Sequence, residues 1–499
     1  MTGHPPRPCE RTDPDTPGIP PVAPYPLPLP DELPAPAVDR RADACRAPCP
    51  APFAPAPPEG RRVLVIDAED TIHLDAVPRR VGPDHERAPH PRRAARPRPA
   101  AGRQDGAMTH ALVAGGGIGG LATALSLART GHRVTVLERE DTFAELGAGI
   151  QIGPNGFHAL NLLGVGPQVH SRAVLVDELR LMDGPSGRTL ISMPVTARYR
   201  KRFGNPYAVV HRSDLLTPLL TACRSHRAIT LVTRAAVLGY TQDPGRVTVT
   251  TKDGRTFTGG LLIGADGLRS AVRAQLVGDG APRVCGHTIY RSVVPVERVP
   301  PALRENAVTL WAGPDWHVVH YLIGGGEYLN LAATLDDRAR EPVSGRPVPG
   351  PVVLDRFPGL GEDARHLLEL GDQWRQWVLC DRDPVRTWAD GRAALMGDAA
   401  HPMLQYAAQG ACQALEDAVV LGDVLADAAD DQVPHRLREY NAARRERTAR
   451  VQLLSRAMGT RLYHPAGERA RERDALLGSL PEEDLYEKVA WLHGARHFG

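Results

Sequence analysis

Seven cysteines in 499 residues are too few and too scattered to frame a disulfide-stapled fold. Cys45 and Cys49 stand in a proline-rich stretch with no second pair at zinc spacing, and no redox Cys-x-x-Cys occurs. No metal site is expected, and a reducing, cytoplasmic setting is the plain reading. Charge of one sign is lacking too: 60 Lys and Arg against 58 Asp and Glu leave +2, which gives no reason to expect nucleic acid or a membrane surface as partner. The N terminus has no apolar core of the kind a secretory signal needs. Only residues 111–128 run long enough without a charge to suggest a membrane span. They hold five glycines between 115 and 120. Each would cost about 1 kcal/mol in a helix interior, which argues against a span.

The first 107 residues hold about half of the 47 prolines, with alanine and arginine filling much of the rest. Such a composition buries too little apolar surface to offset chain entropy, so disorder is expected there. The one strand-like run, residues 62–67, has no evident neighbour to pair with. Met108 stands three residues before the first strong strand, so translation starting there is favoured over a natural disordered extension.

What is present begins at that point. A short apolar strand at 111–114 enters a G-x-G-x-x-G turn at Gly115, Gly117 and Gly120. A helix follows from about Leu121 to Thr130, Gly131 closes it, and a second strand at 133–137 delivers Glu138. The first glycine permits the tight turn, the second lets backbone approach a pyrophosphate, and the third lets helix and strand pack closely. The helix N terminus offers unpaired N–H groups to phosphate, and Glu138 is placed to accept from a ribose.

Further chemistry lies downstream. Residues 147–156 are glycine-rich enough to be read as a loop where backbone approaches something closely. At 211–215 a helical pattern opens with Ser213 as the expected N-cap, and Arg212 there is open to two readings, a phosphate partner or a solvated arginine. Residues 246–250 and 255–258 form a hairpin turning at Asp253-Gly254. The strand at 261–263 ends in Gly264-Ala265-Asp266-Gly267, which puts a carboxylate at the carboxyl edge of a sheet, where open α/β folds bind ligands. A second such block, Gly397-Asp398-Ala399-Ala400-His401-Pro402, leads by a loop to a helix starting near Gly410 and Ala411. No other G-x-G-x-x-G sits between strand and helix; Gly324-Gly325-Gly326 reads as a hairpin loop, so no separate nicotinamide domain is visible.

These three motifs resemble those of the p-hydroxybenzoate hydroxylase-like, group A FAD-dependent aromatic monooxygenases, over about residues 108–460. The resemblance implies an α/β fold: a Rossmann-like FAD-binding domain (108–177, 206–285 and 386–430) interleaved with a mixed β-sheet substrate domain (178–205 and 286–385), then a C-terminal helical segment (431–499). It implies that Glu138, with Arg139 beside it, binds the adenosine ribose, that Arg212 and Asp266 lie near the pyrophosphate, and that Asp398 holds the ribityl chain. The N terminus of the helix at Gly410 and Ala411 would aim partial positive charge at the flavin N1/O2 edge. NADH, or NADPH, is expected to visit the flavin and leave.

Residues 316–323 form a β-run whose period-two alternation puts His317, Val319 and Tyr321 on one face and Trp316, Val318 and His320 on the other. Within the family, the block from Gly397 to Tyr406 resembles the 3-hydroxybenzoate 6-hydroxylases more than the salicylate 1-monooxygenases. The resemblance implies that His317, Tyr321 and Gln405 contact the substrate. The expected reaction uses NAD(P)H and O2 through a flavin C4a-hydroperoxide to turn 3-hydroxybenzoate into 2,5-dihydroxybenzoate, with His317 as proton acceptor. No arginine is placed beside His317 by this reading, so the substrate is expected to be anchored by neutral hydrogen bonds; Tyr290 and Arg291 receive no role.

At about 433–458 the pattern is that of a helix packed on the flavin domain, and Val489, Trp491 and Leu492 form an apolar patch for the core or for a homodimer interface. The competing readings are a salicylate 1-monooxygenase-like hydroxylase, a flavin-dependent reductase or oxidase of another small molecule, and a non-catalytic FAD-binding module. Flavin content and substrate-stimulated NADH oxidation separate them.

Overall fold

The computed structural model describes residues 62–66, 72–76, 109–144 and 148–498. Arg62–Ile66 does find a partner: it pairs antiparallel with Ile72–Ala76, Ile66 opposite Ile72. The expectation of an unpaired run missed that a five-residue connection is short enough to bring Ile72–Ala76 back as its partner. The rest of 1–107, and with it the expected disorder and the start at Met108, lies outside the described residues.

Six strands form the nucleotide-binding sheet. Their order is Ile229–Val232, Arg133–Leu137, His110–Ala114, Leu261–Gly264, Ala393–Leu395 and Ala389–Asp390, all parallel except the last. Residues such as Ala111, Leu112, Val113, Leu261, Leu262 and Ile263 are fully buried, which is why these strands read as unbroken apolar runs rather than alternating ones. The helix Ile118–Arg129 starts three residues earlier than expected and buries ten side chains or backbone positions on nearly every face. That explains the membrane-like look of 111–128; no described helix is long and apolar enough to cross a membrane. Ala114, Gly264 and Leu395 stand level across three neighbouring strands, so the loops that follow them leave the same edge of the sheet.

A mixed sheet of eight strands holds the other half. Its order is Arg346–Pro347, Arg375–Asp381, Arg283–Pro295, Tyr328–Asp336, Trp316–Ile323, Ala307–Gly313, Glu178–Asp183 and Thr189–Pro194. Only Ala307–Gly313 with Glu178–Asp183 runs parallel. Gly324–Gly326 turns the central hairpin as expected, with positive φ at all three glycines. One face packs Trp311, Trp316, Val318 and Tyr290 against Phe357 and Trp374. The sequence-predicted hairpin pairs Arg246–Thr251 with Thr256–Gly259.

Two local expectations are corrected. Residues 149–152 are not loop but a strand, Gly149–Ile152, paired antiparallel with Ala208–His211, and Pro154 then opens the helix Pro154–Leu162. The glycines suppressed the strand signal that Ile150 and Ile152 carry once a neighbour exists. The N-cap of Arg212–Ser225 is His211, whose Nδ1 accepts from the Ser213 N–H, so the helix begins two residues earlier than a Ser213 cap would set it.

The C-terminal helix Val433–Ala457 lies on the nucleotide-binding sheet, with the Tyr440 hydroxyl donating to the Leu395 carbonyl at 3.1 Å. Arg444, fully buried, donates to Glu416 Oε2 and Asp417 Oδ1 at 2.7 Å each. Burial pushes the Glu416 carboxyl up, but Arg444 and Arg447 more than reverse this and hold it below the ordinary range. The helix passes into a wider π turn, Met458–Tyr463, and two further helices follow, Gly467–Gly478 and Glu482–His493. The apolar patch is spent within the chain: Leu492 is buried, Val489 joins Tyr199, Phe203 and Tyr486, and the Trp491 ring lies 3.7 Å under the Arg450 guanidinium.

Candidate functional site

The three motifs are in contact at the carboxyl edge of the parallel sheet. Gly115 has φ +103°, and a Cβ there would stand 2.3 Å from the Ala265 carbonyl oxygen. A Cβ on Gly120 would stand 2.0 Å from the Gly115 oxygen, so both positions demand glycine. Gly117 is the N-cap of the helix in extended backbone. Gly119 meets Met396, the residue before the Gly397-Asp398 block, with an added Cβ 2.9 Å from the sulfur.

Around this turn the acids are placed differently from one another. Glu138 accepts from the Gly116 N–H at 2.7 Å and from the Glu140 N–H at 3.0 Å, which fixes its carboxylate at the glycine turn. Arg139 is exposed and pairs with Glu140. Asp266 accepts from the Ser270 hydroxyl at 2.5 Å and the Ala271 N–H at 2.8 Å, so its carboxylate serves the helix Ala271–Leu276 while its backbone packs on Gly115. Burial holds its carboxyl above the ordinary range despite those donors. Asp398 is exposed and opens the short helix Gly397–Ala400; its Oδ1 lies 3.9 Å from where a Cβ on Gly410 would be. Gly410 and Ala411 begin the helix Gly410–Leu425, as expected. First-turn N–H groups of such a helix have no intrahelical acceptor, and Asp398 stands before them. An acid at the second strand, two helix N termini and a glycine turn without side chains form a donor set that suits a dinucleotide-type cofactor such as FAD.

The second part is a sheet face. His317, Val319 and Tyr321 do share one side, and their cross-strand partners carry it outward: Thr334, Ala332 and Asn330, then Ile289, Arg291 and Val293. The turn Gln405–Ala407 covers this patch. Gln405 accepts from Arg291 Nη2 at 2.5 Å and donates to Thr334 Oγ1 at 3.4 Å. At the other end, Asn330 Oδ1 accepts from the Gly149 N–H at 2.9 Å, and Gly149 is so close to the Tyr321 ring that a Cβ would stand 2.5 Å from it. The close backbone approach expected at 147–156 is therefore to Tyr321. Burial pushes the Tyr321 hydroxyl up to about 12, against the opposing pull of Arg291 and Arg212.

The structure thus brings His317, Tyr321 and Gln405 to one patch, and adds residues the sequence reading missed. Arg291 is the arginine said to be lacking: it lies two strands from Val319 in the same register, with Ala332 between them, its Nε is buried without a hydrogen-bond partner, and its guanidinium stacks 5.7 Å over Trp377. Burial lowers it to about 10, and Arg212 nearby adds to that. Parity along 283–295 contained this placement, but only the register of three strands turns parity into proximity. His464 was missed too: its Nε2 meets His317 Nδ1 at 2.7 Å. Burial, then His464 and His287, push His317 well below its ordinary range. Nothing local marks a histidine 147 positions downstream as a neighbour of His317.

A parallel sheet with a glycine turn, fused to a mixed sheet that presents ionisable groups, defines a flavin-dependent oxidoreductase. The chain matches the FAD binding domain family over residues 108–308 and 364–455. It is 46% identical to 3-hydroxybenzoate 6-hydroxylase 1 of Aquipseudomonas alcaligenes over 77% of this chain and 97% of that protein. It is 44% identical to the 3-hydroxybenzoate 6-hydroxylase of Polaromonas naphthalenivorans strain CJ2, over 77% and 95% respectively. Among solved structures, a salicylate hydroxylase substrate complex superposes with a TM-score of 0.67 at 27% identity, covering 78% of this chain and 96% of that one. The chain belongs to the group A FAD-dependent aromatic monooxygenases.

Proposed function

We propose that this enzyme hydroxylates 3-hydroxybenzoate at the ring carbon para to its hydroxyl, giving 2,5-dihydroxybenzoate at the expense of NADH and O2. The observation that carries the reading is the single sheet face that joins His317, Arg291 and Tyr321 under Gln405. The relatives' names supply the substrate class and regiochemistry. FAD, when bound, supplies reduction by the nicotinamide and activation of O2.

What the residues do follows from their chemistry. His317, neutral because it is buried, presents a ring nitrogen able to take the phenolic proton, and loss of that proton raises electron density at the para carbon. Arg291 carries a buried positive charge with an unused Nε–H, which suits a benzoate carboxylate. Gln405, already joined to Arg291, holds that guanidinium in place and presents its amide to the ring substituents. Tyr321 keeps its proton at neutral pH and so offers a hydroxyl as hydrogen-bond donor. Glu138, Asp398, Arg212 and the N termini at Gly117 and Gly410 hold the cofactor; Asp266 shapes that pocket through its helix. Arg139, exposed and paired with Glu140, is the weakest member of the proposed set.

The reading is tested with FAD-loaded enzyme by following NADH oxidation and product with 3-hydroxybenzoate and with salicylate. Coupled formation of 2,5-dihydroxybenzoate from the first supports it. Release of the carboxyl group from the second with no turnover of the first would replace it with the salicylate reading.

A further inference from the structure

His401 and Asp417 are fully buried, and neither takes part in the chemistry proposed above. Asp417 lies two turns into the helix Gly410–Leu425, and its carboxylate reaches out of that helix to the Gly397-Asp398 block. Oδ2 accepts from the Gly397 N–H at 2.9 Å and from His401 Nε2 at 2.6 Å, so one oxygen holds both ends of the turn 397–401. Oδ1 accepts from Arg444 Nε at 2.7 Å. Burial opposes charge on this acid, but His401 and Arg444 more than reverse that and hold its carboxyl well below the ordinary range. Asp417 is therefore an acceptor only, met by three donors.

The same turn is gripped from a second side. Arg273, fully buried on the helix after the Asp266 block, donates from Nη1 to the Ala399 and Ala400 carbonyls at 2.8 and 2.6 Å, while Asp279 anchors its guanidinium. On the facing helix, Gly410, Ala414 and Asp417 recur at i, i+4 and i+7, which puts them on one stripe. That stripe meets the turn: a Cβ on Gly397 would stand 3.3 Å from the Ala414 Cβ. Within 397–401 only Asp398 is exposed, and its Oδ1 lies 3.9 Å from where a Cβ on Gly410 would be.

We infer that Asp417 is a positioning residue for the cofactor, locking Asp398 to the helix N terminus at Gly410 so that both meet the ribityl chain together. The inference rests on the proposed role of Asp398 as a cofactor contact. Asp398 follows a strand and Gly410 opens a helix, and only the irregular segment 402–409 joins them along the chain. Two groups that must act on one ligand need their spacing fixed by something stiffer than such a segment. The Asp417 carboxylate supplies that tie, because it belongs to the helix and its hydrogen bonds belong to the turn. An asparagine would keep the shape but offer one oxygen where three donors converge, and its own N–H groups would face a donor. The turn would then move off the helix and carry Asp398 with it.

A double-mutant cycle on FAD affinity tests this, read from the fluorescence of FAD released when the holoenzyme is diluted. Asp398→Ala is expected to weaken FAD binding by roughly tenfold or more, and Asp417→Asn by about as much. The double variant should be no more than about twofold weaker than the worse single one, since with Asp398 gone its positioning residue has nothing left to position. Losses that add in full, or wild-type affinity in Asp417→Asn, would overturn the positioning role, because a merely structural defect adds to the loss of Asp398. Wild-type affinity in Asp398→Ala would remove the cofactor role of Asp398 itself, and the inference with it. Should Asp417→Asn fail to fold, His401→Leu, which withdraws the donor at the far end of the turn, goes through the same cycle: coupling with Asp398→Ala supports the tie and full additivity overturns it.

Discussion

Arg291 donates to Gln405 Oε1 from a strand 114 residues upstream, and its own Nε–H is left buried without a partner. Among the described residues no carboxylate forms an ion pair with it, although burial alone makes an unpaired guanidinium costly. A bound carboxylate would satisfy it. Arg291→Met is therefore expected to weaken binding of 3-hydroxybenzoate by roughly 10- to 100-fold, the worth of a charge-assisted hydrogen bond, while leaving the free protein as stable or more so. Substrate titration and thermal melting of the same variant check both halves; unchanged affinity would remove Arg291 from the substrate's contacts.

His317→Ala should keep FAD and still oxidise NADH, but its product yield is expected to fall by about 10²-fold or more, with NADH consumption diverted to H2O2. Product by chromatography against NADH and peroxide gives the coupling ratio. Normal coupling in this variant would rule out the role given to His317.

Gly120→Ala puts a methyl group 2.0 Å from the Gly115 oxygen. The turn and the helix cannot both keep their places, so the purified variant should be colourless or release flavin on gel filtration. Retention of a full flavin spectrum would mean the turn relaxes without loss.

Replacing Arg444 by Ala leaves Glu416 and Asp417 charged and fully buried. A loss of about 3–5 kcal/mol is expected from urea unfolding, and because both acids sit on the helix that starts at Gly410, flavin affinity should fall with it. Stability within error of wild type would show that water or a shift in the chain replaces the arginine.

Burial, chiefly, lowers His320 to about 4 and His464 and His493 to about 3, each from an ordinary value of 6.5. The unfolded chain therefore takes up protons that the folded one refuses, and stability present above pH 6.5 is lost as pH falls toward 4 and then 3. Urea midpoints should drop between pH 7.5 and 5, and His320→Gln should make that slope shallower. An equal slope in the variant would count against His320 as a contributor.

Much of the flavin half is local and so was legible in the chain. A glycine turn must have glycine where Cβ atoms would collide, buried parallel strands must be apolar on both faces, and an acid must follow the second strand; each is written within about thirty residues. Period two likewise fixed that His317 and Tyr321 share a face, and the resemblance of the loop at Gln405 pointed to the same site. Where local signals competed, the reading slipped: glycines at 147–156 masked a strand, and Ser213 outbid His211 as a cap.

Taken alone, then, the sequence determined the nucleotide turn, the three motifs that belong to FAD and the strand that carries His317. Only the tertiary structure decided which partners those residues have. Arg291 reaches Gln405 because three strands pair in one register. His464 reaches His317 because a long helix, anchored at Arg444, ends in a π turn against Tyr406. Both are contacts between residues far apart in the chain. Their positions are set by the packing of whole elements, and no local spacing rule carries that information.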